Sequence, residues 1–502
     1  MTAHTQESSN SNNVMQNYNT DTSKWAIAVH RVTTTSAEVW VGTLFTTLIK
    51  PKHARVHLIE DGKIVQTKYI QKSNWKRPFS FTKKRFFSLQ TFDNLKPNTC
   101  YSVRFERYIA PDEQTLPIGW VPLRNAYLST LPEQISEQSS FTVGLASCFY
   151  PHRDGGRAAE AYQALYERGH KDIKPDITFL TGDQVYLDIG FDSLSRDPDE
   201  IRQRIGSDYA ENWQLLGGIL NRGGTWMLPD DHEYWNDYPF HDSLIPQLLA
   251  LKLQSVREHW TRASKDAVKN IQRSPKVETF NIGNDLSFCL ADLRSYRSKR
   301  NFLPPTAFKQ LINWAESLTS PGVLVIPQPL IVNVNNTERN LLSFNAQYKQ
   351  LLEALGSTGN NIVILSGDVH YGRIASCPIG DNGATLTEVI SSPMSNLTYL
   401  NGIATAKPEF TPEQFPHSDS LPKGWQQQTV SYYQDFSVST KKGFLFSPYP
   451  KERTREHFMT VGFKKVNGKL QMTVNAWRIR EHDPDTYLPN SDFGKAYRVL
   501  LS

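Results

Sequence analysis

The sequence predicts an α/β protein, a two-sheet α/β sandwich preceded by a smaller all-β sandwich, and three observations lead there. Residues 25–127 are short alternating stretches, such as Ala37-Glu38-Val39-Trp40-Val41, separated by turn formers such as Asp61-Gly62. Beyond Phe141 apolar strand-like runs alternate with helical periodicities. Three of the segments there end in acids and imidazoles: 176–181 runs into Gly182-Asp183-Gln184-Val185-Tyr186, 225–228 leads to Asp230-Asp231-His232-Glu233, and 362–366 runs into Gly367-Asp368-Val369-His370. Strand ends are where an α/β fold opens its crevice.

Along the chain, residues 1–21 are rich in Asn, Ser, Thr and Gln and read as a disordered tail. Residues 22–131 suit one β-sandwich module. Within it Leu95-Lys96-Pro97-Asn98-Thr99-Cys100-Tyr101 resembles the tyrosine corner of immunoglobulin- and fibronectin-like sandwiches, where the Tyr hydroxyl caps a strand turn. The polar stretch 132–140 reads as a linker. The remainder, 141–502, forms the second domain. Helical patterns fall at 157–168, 198–220, 245–263, 306–318 and 347–355, and strands at 141–146, 277–282, 286–290, 323–326 and 362–365. A hairpin is expected from 457–463 and 470–477 around Asn467-Gly468. No internal repeat is visible.

With 502 residues the chain is long enough for more than one core. A net charge of +5 makes no case for a nucleic-acid scaffold, and would not repel a phosphorylated small molecule. No apolar run approaches the roughly 18 residues of a membrane span. Cys100, Cys148, Cys289 and Cys377 are far apart, unlike a disulfide framework. With no signal-peptide or twin-arginine pattern at the N-terminus, the expectation is a cytoplasmic protein.

The chemistry of the three segments points to cations. Asp183 at a strand end can bridge two of them, and Tyr186 can return to the same site if the loop makes one turn. A phenol ionises near pH 10, so binding through its oxygen calls for a strong Lewis acid such as trivalent iron. Cys148, in Ala146-Ser147-Cys148-Phe149-Tyr150, emerges at the same end and favours a transition metal. Asp368 and His370 offer an oxygen and a nitrogen; Asp231 and Asn236 offer oxygens to a harder ion such as calcium or manganese. Two cations about 3.5–4 Å apart would ionise a bridging water for in-line attack on a phosphoryl group. His232 is expected to protonate a leaving oxygen or to hold the attacking group, and Arg294 and Arg297, just after a strand, to bind phosphate.

Each feature has an ordinary reading. Gly-Asp after a strand is commonly a turn, Asp-Asp-His-Glu can start a helix, a lone Cys is commonly a small core residue, and arginines commonly form salt bridges. Joint occurrence after strands of one domain favours a metal site of hydrolytic type, and the residues alone lead no further.

Taken together and in order, the segments resemble the alkaline phosphatase D-like metallophosphatase family, of the calcineurin-like metallophosphoesterase superfamily. The likeness extends through residues 32–40, the Tyr101 corner, Ala146-Ser147-Cys148, Pro175-Asp176 with Gly182–Tyr186, 230–233, Asp292-Leu293-Arg294-Ser295-Tyr296-Arg297, 366–371 and Glu388-Val389-Ile390-Ser391-Ser392-Pro393. The resemblance implies a metallophosphoesterase-type core, a mixed Fe3+ and Ca2+ centre (Mn2+ or Zn2+ as alternatives), and hydrolysis of phosphate monoesters and diesters. Cys148, Asp183, Tyr186 and Asp368 fall on its iron positions; Asp183, Asn236 and His370 fall near its calcium positions, with Asp231 as an additional ligand. Two departures stand out. No twin-arginine leader is visible in the sequence, and the acid that often follows the motif Tyr is displaced by one residue, to Asp188. A phosphodiesterase acting on a phospholipid or nucleotide diester is the alternative within the same chemistry, with substrate choice expected from 190–207 and 401–428. A binding protein built on a relic of the core is the alternative outside it.

Overall fold

The computed structural model describes residues 21–113, 118–242, 246–334, 339–395, 411–433 and 456–502. The tail expected at 1–21 and part of the expected substrate loop 401–428 therefore lie outside the described residues, Asp21 excepted.

Alternation of apolar and polar residues folds the first hundred residues into two antiparallel sheets. One holds Ala26–Val32, Ala37–Thr43 and Phe86–Phe92; the other is ordered Lys63–Gln71, His53–Glu60, Cys100–Ile109, Gly119–Ser129. The Tyr101 hydroxyl accepts the backbone N–H of Lys96 at 3.1 Å, the corner expected from the sequence. Residues 132–140 form neither helix nor strand, but they do not swing free. Ile135 is buried, its N–H is donated to Asp285 at 2.8 Å, and the Ser136 carbonyl accepts the N–H of Lys465. The polar composition that reads as a linker instead supplies donors and acceptors that dock it.

The second half is a two-sheet α/β sandwich. Gly224–Leu228, Ile177–Thr181 and Phe141–Ala146 are parallel neighbours, continued antiparallel by His457–Val466 and Lys469–His482. In the facing sheet Leu286–Ala291, Gly322–Val325, Ile362–Ser366 and Ala384–Ile390 are parallel, with antiparallel Val277–Ile282 and Arg373–Ile379 flanking them. The central parallel strands are buried along their whole length, which explains why they read as unbroken apolar runs. Phe288 joins the sheets, its ring 6.1 Å from Phe141, 6.0 Å from Phe179 and 6.1 Å from Phe463.

Helices cover the outer faces. The expected helix 198–220 divides into Pro198–Leu215 and Gly217–Leu220, because Gly217-Gly218 weakens it. Its start is set by Asp197, whose side chain accepts the N–H groups of Asp199 and Glu200, and by Pro198 in the first turn. Hence 190–207 is loop only as far as that cap. The 245–263 pattern becomes a 3-10 stretch, Pro246–Lys252, and a helix, Gln254–Ala267, divided at extended Leu253. The Asn467-Gly468 hairpin turn is present, both residues at positive φ.

Candidate metal centre

Parallel pairing in register brings the strand ends together. Leu228 lies opposite Thr181 and Leu180 opposite Ala146, so the segments after them emerge side by side. From the second sheet Ser366 pairs with Ile390. The two sheets meet at these ends: a Cβ added to Gly367 would stand 2.3 Å from Ser147 Cβ and Oγ, so only glycine lets the Asp368 loop approach the Cys148 loop.

Four of the expected ligands have left-handed backbone, with φ of 57° at Cys148, 56° at Asp183, 69° at Asp368 and 55° at His370. Side chains with a Cβ adopt this region at a cost, and such residues concentrate at functional sites. The surroundings hold them there. Cys148 donates its N–H to the Gly182 carbonyl, and Phe149 donates to the Asp183 carbonyl. Asp368 N–H is donated to Ser147 Oγ at 3.2 Å and His370 N–H to Ser392 Oγ at 2.9 Å.

Donor atoms converge in three overlapping groups: Cys148 with Asp183 and His370; Asp183 with Asp231 and His232; and Asp183 with Asp230, Asp231 and Asp368. Within each, all ligand atoms lie within 4.8 Å of one another. Asp183 belongs to every group, as a bridging carboxylate would. Cys148 Sγ is 3.6 Å from Asp183 Oδ2 and 3.1 Å from the Asp368 carbonyl oxygen, and accepts from Ser392 Oγ at 3.2 Å. Tyr186 does turn back to the site, its hydroxyl 3.2 Å from His370 Nε2. Asn236 lies on the loop after Asp231, its N–H donated to Asp188.

Without cations this arrangement is electrostatically frustrated. Burial pushes the Asp183 carboxyl far above its usual range, with Cys148, Asp368, Asp231 and Glu233 adding to it. Burial and then Asp368 push the Cys148 thiol up to about 12. Burial, then His232, holds His370 down to about 3, so its imidazole is neutral and competent as a ligand. Its Nδ1 is buried with no hydrogen-bond partner. Asp231 is the exception: burial opposes ionisation, but Arg294, His232 and the Asp237 N–H outweigh it and keep the carboxyl low. Two buried guanidiniums, Arg294 and Arg297, are outnumbered by the carboxylates and the thiol, and cations would take the place of the protons that burial keeps on these donors. The donor set of thiol, phenol, imidazole and carboxylates fits them.

The structure places Arg294 and Arg297 away from the role expected of them on phosphate. Arg294 is fully buried and grips Asp230 with Nε at 2.6 Å and Nη2 at 3.0 Å, while Nη1 donates to the Tyr238 carbonyl. Arg297 donates to the Leu293 and Arg339 carbonyls and, at 2.6 Å, to Gln328 Oε1; Gln328 in turn donates to Asp368 Oδ2 at 3.2 Å. Both support carboxylates of the site from behind. The bidentate geometry that suits an arginine to phosphate is taken up by Asp230.

Three supporting residues were not assigned roles from the sequence. Glu233 is fully buried and accepts the N–H groups of Asp183 at 3.0 Å, Gln184 at 2.6 Å, Val185 at 3.3 Å and Asp230 at 2.8 Å. It thus ties two of the three strand ends together. Asp230 completes an acidic group. Asp188 accepts from His232 Nδ1. All three lie within or beside the motifs, but a motif does not reveal which of two adjacent acids turns inward.

Neither a family model nor a curated protein matches this sequence. Among solved structures the chain is similar to PhoD, with a TM-score of 0.59 and 16% identity over 96% of this chain and 89% of that one. It is also similar to the purple acid phosphatase PPD1 from seeds of yellow lupin (Lupinus luteus), with a TM-score of 0.52 and 10% identity over 95% of this chain and 74% of that one. At such identities the likeness defines the fold. The protein has a metallophosphoesterase-type two-sheet α/β core preceded by an immunoglobulin/fibronectin-like β-sandwich. Among the described residues no helix is long and apolar enough to cross a membrane.

Proposed function

We propose that this chain is a metal-dependent phosphoric ester hydrolase, acting on a small-molecule phosphomonoester or phosphodiester. The observation that carries the reading is that three strand ends converge on Asp183, the residue common to every group of ligand atoms. In this reading Cys148, Asp183, Tyr186 and Asp368 hold Fe3+, and Asp183, Asn236 and His370, with Asp231, hold Ca2+; Mn2+ or Zn2+ are the substitutes. When bound, such a pair supplies Lewis acidity that lowers the pKa of water and neutralises charge on a phosphoryl group.

The protein's own groups do the rest. His232, oriented by Asp188, is placed to give a proton to the leaving oxygen. Arg294 holds Asp230, and Gln328, fixed by Arg297, holds Asp368, so the carboxylates keep their positions. Glu233 fixes the backbone on which Asp183 is mounted.

The test is elemental analysis of protein purified without chelators, combined with hydrolysis of aryl phosphomonoesters and bis-aryl phosphodiesters. About one iron with one or two calciums per chain, and turnover that stops on chelation, supports the whole reading. Zinc or manganese with turnover keeps the hydrolase and removes the assignment of thiolate and phenolate to iron. Absence of metal after reconstitution, with no turnover, overturns the proposal in favour of a binding protein.

A further inference from the structure

The lysines and arginines of this chain are unevenly placed. Residues 72–84 and 262–269 contain Lys72, Lys76, Arg77, Lys83, Lys84, Arg262, Lys265 and Lys269 against one carboxylate, Asp266. Their excess of seven positive charges is larger than the +5 of the whole chain, so everything else sums to slightly negative. All eight cations are exposed.

The two segments form one surface. Ser80 donates its N–H and hydroxyl to Asp266 at 2.8 and 2.7 Å, and Asn270 donates to the Pro78 carbonyl at 2.8 Å. Arg262, Lys265, Asp266 and Lys269 follow the spacing of a single helix face on Gln254–Ala267 and the turn that continues it, so the face bearing Asp266 is the face that meets the loop. The one acid is thereby engaged by Ser80. At the loop's other end Lys50 joins the cluster: burial first, then Arg77 and Lys72, make its ammonium easier to deprotonate, which places three cations close together. Beside Lys50, Ile49 is 63% exposed.

We propose that this face is a peripheral docking surface for an anionic lipid bilayer. Seven of the nine cations, Lys50 included, are lysines, which act as diffuse point charges, whereas close-fitting phosphate recognition favours the arginine fork. Clustered lysines suit the smeared negative potential of anionic headgroups. Nucleic-acid surfaces add exposed aromatic rings for base stacking. Within these segments Trp75 and Phe79 are buried and Phe81 is half-buried, while the aliphatic Ile49 beside Lys50 is exposed. An exposed aliphatic residue beside a lysine at the edge of a cationic face suits the headgroup region. Like charges that outnumber the carboxylates among them repel one another, and an anionic leaflet offsets that repulsion. The inference goes beyond the hydrolase reading and stands whether or not the metal centre turns over.

The experiment is co-sedimentation of the full chain with phosphatidylcholine vesicles, with and without phosphatidylglycerol, over a range of salt. Binding is expected to mixed vesicles alone, and to weaken steeply as salt rises. Lys83→Glu/Lys84→Glu and Lys265→Glu/Lys269→Glu should each lower it by more than tenfold, from about fivefold per neutralised lysine. Ile49→Ser should weaken binding without changing its salt dependence. Circular dichroism melts matching the parent chain confirm folding of each variant, and Ile49→Ser tests the surface without altering charge. Equal binding to neutral vesicles, no binding to either, or charge-reversal variants that bind undiminished would overturn the proposal. So would tight, salt-sensitive binding to duplex or single-stranded DNA with none to the mixed vesicles.

Discussion

Asp188 Oδ1 lies 2.6 Å from His232 Nδ1, and its second oxygen accepts the Asn236 N–H at 2.7 Å. One carboxylate therefore sets both the ring of the proposed proton donor and the loop of a proposed ligand. With Nδ1 held by Asp188, the proposed role assigns the transferred proton to Nε2. The Tyr186 ring, 4.5 Å away, packs against the same imidazole.

Replacing Asp188 with Ala should lower kcat by about 10²–10⁴-fold, the usual contribution of a positioned acid. Iron content should stay near that of the parent chain, while calcium, held in this reading by the Asn236 loop, should weaken. The loss should grow with the pKa of the leaving group, because poor leaving groups need the proton most. Rates for a series of aryl phosphates check this. An equal loss across the series would show that Asp188 acts only on the Asn236 loop.

Glu233 gives a stability prediction. Its two oxygens serve four backbone N–H groups on two strand ends, all out of contact with water. Glu233→Ala would orphan them at about 1–3 kcal/mol each, so a loss of several kcal/mol is expected. Asp183 would also lose its mounting, and bound metal should fall with stability. Urea unfolding and elemental analysis report the two effects. A variant as stable as the parent would show that the ties are dispensable.

The frame of this architecture is legible in the sequence because the parallel strands are buried on both faces and must be apolar throughout. The converging ends are legible for the same reason: Asp183 and Asp368 interrupt such runs abruptly. What lies behind them is not. Arg294 and Arg297 follow a strand and carry forked donors, which suit phosphate and carboxylate equally well; only the packing puts Asp230 and Gln328 in their reach. Likewise the displaced Asp188 keeps contact with the site because the turn after Tyr186 carries it back to His232. The polar stretch 132–140 looks like a tether by composition, and a partner that docks it, Asp285, lies 150 residues from Ile135.

Cys148→Ser separates the metal reading from a packing one. The thiol lies between Asp183, the Asp368 carbonyl and Ser392, and a hydroxyl there is similar in size but a harder donor. Iron content and visible absorption should be lost, with less than about 1.5 kcal/mol change in stability of the metal-free protein. Iron stoichiometry and colour equal to the parent chain would reduce Cys148 to a buried core residue.

A pH prediction comes from His30, far along the chain from the metal-site motifs. It lies on Ala26–Val32, buried near Thr225 and Ile271 of the core. Burial, then the charges of Arg31 and Arg273, holds its pKa down to about 3, against 6.5 when exposed. The folded chain therefore binds fewer protons than the unfolded one in that window. Its contribution to stability is intact above 6.5 and is lost as pH falls toward 3, at up to about 1.4 kcal/mol per unit. His30→Gln, which is of similar size and does not titrate, should flatten this slope. It should match or fall below the parent at neutral pH and gain on it in acid. Urea midpoints between about pH 7 and pH 4 measure the difference. A constant difference across that range would mean that the imidazole becomes protonated within the folded protein, and that the sandwich can open at His30 without unfolding.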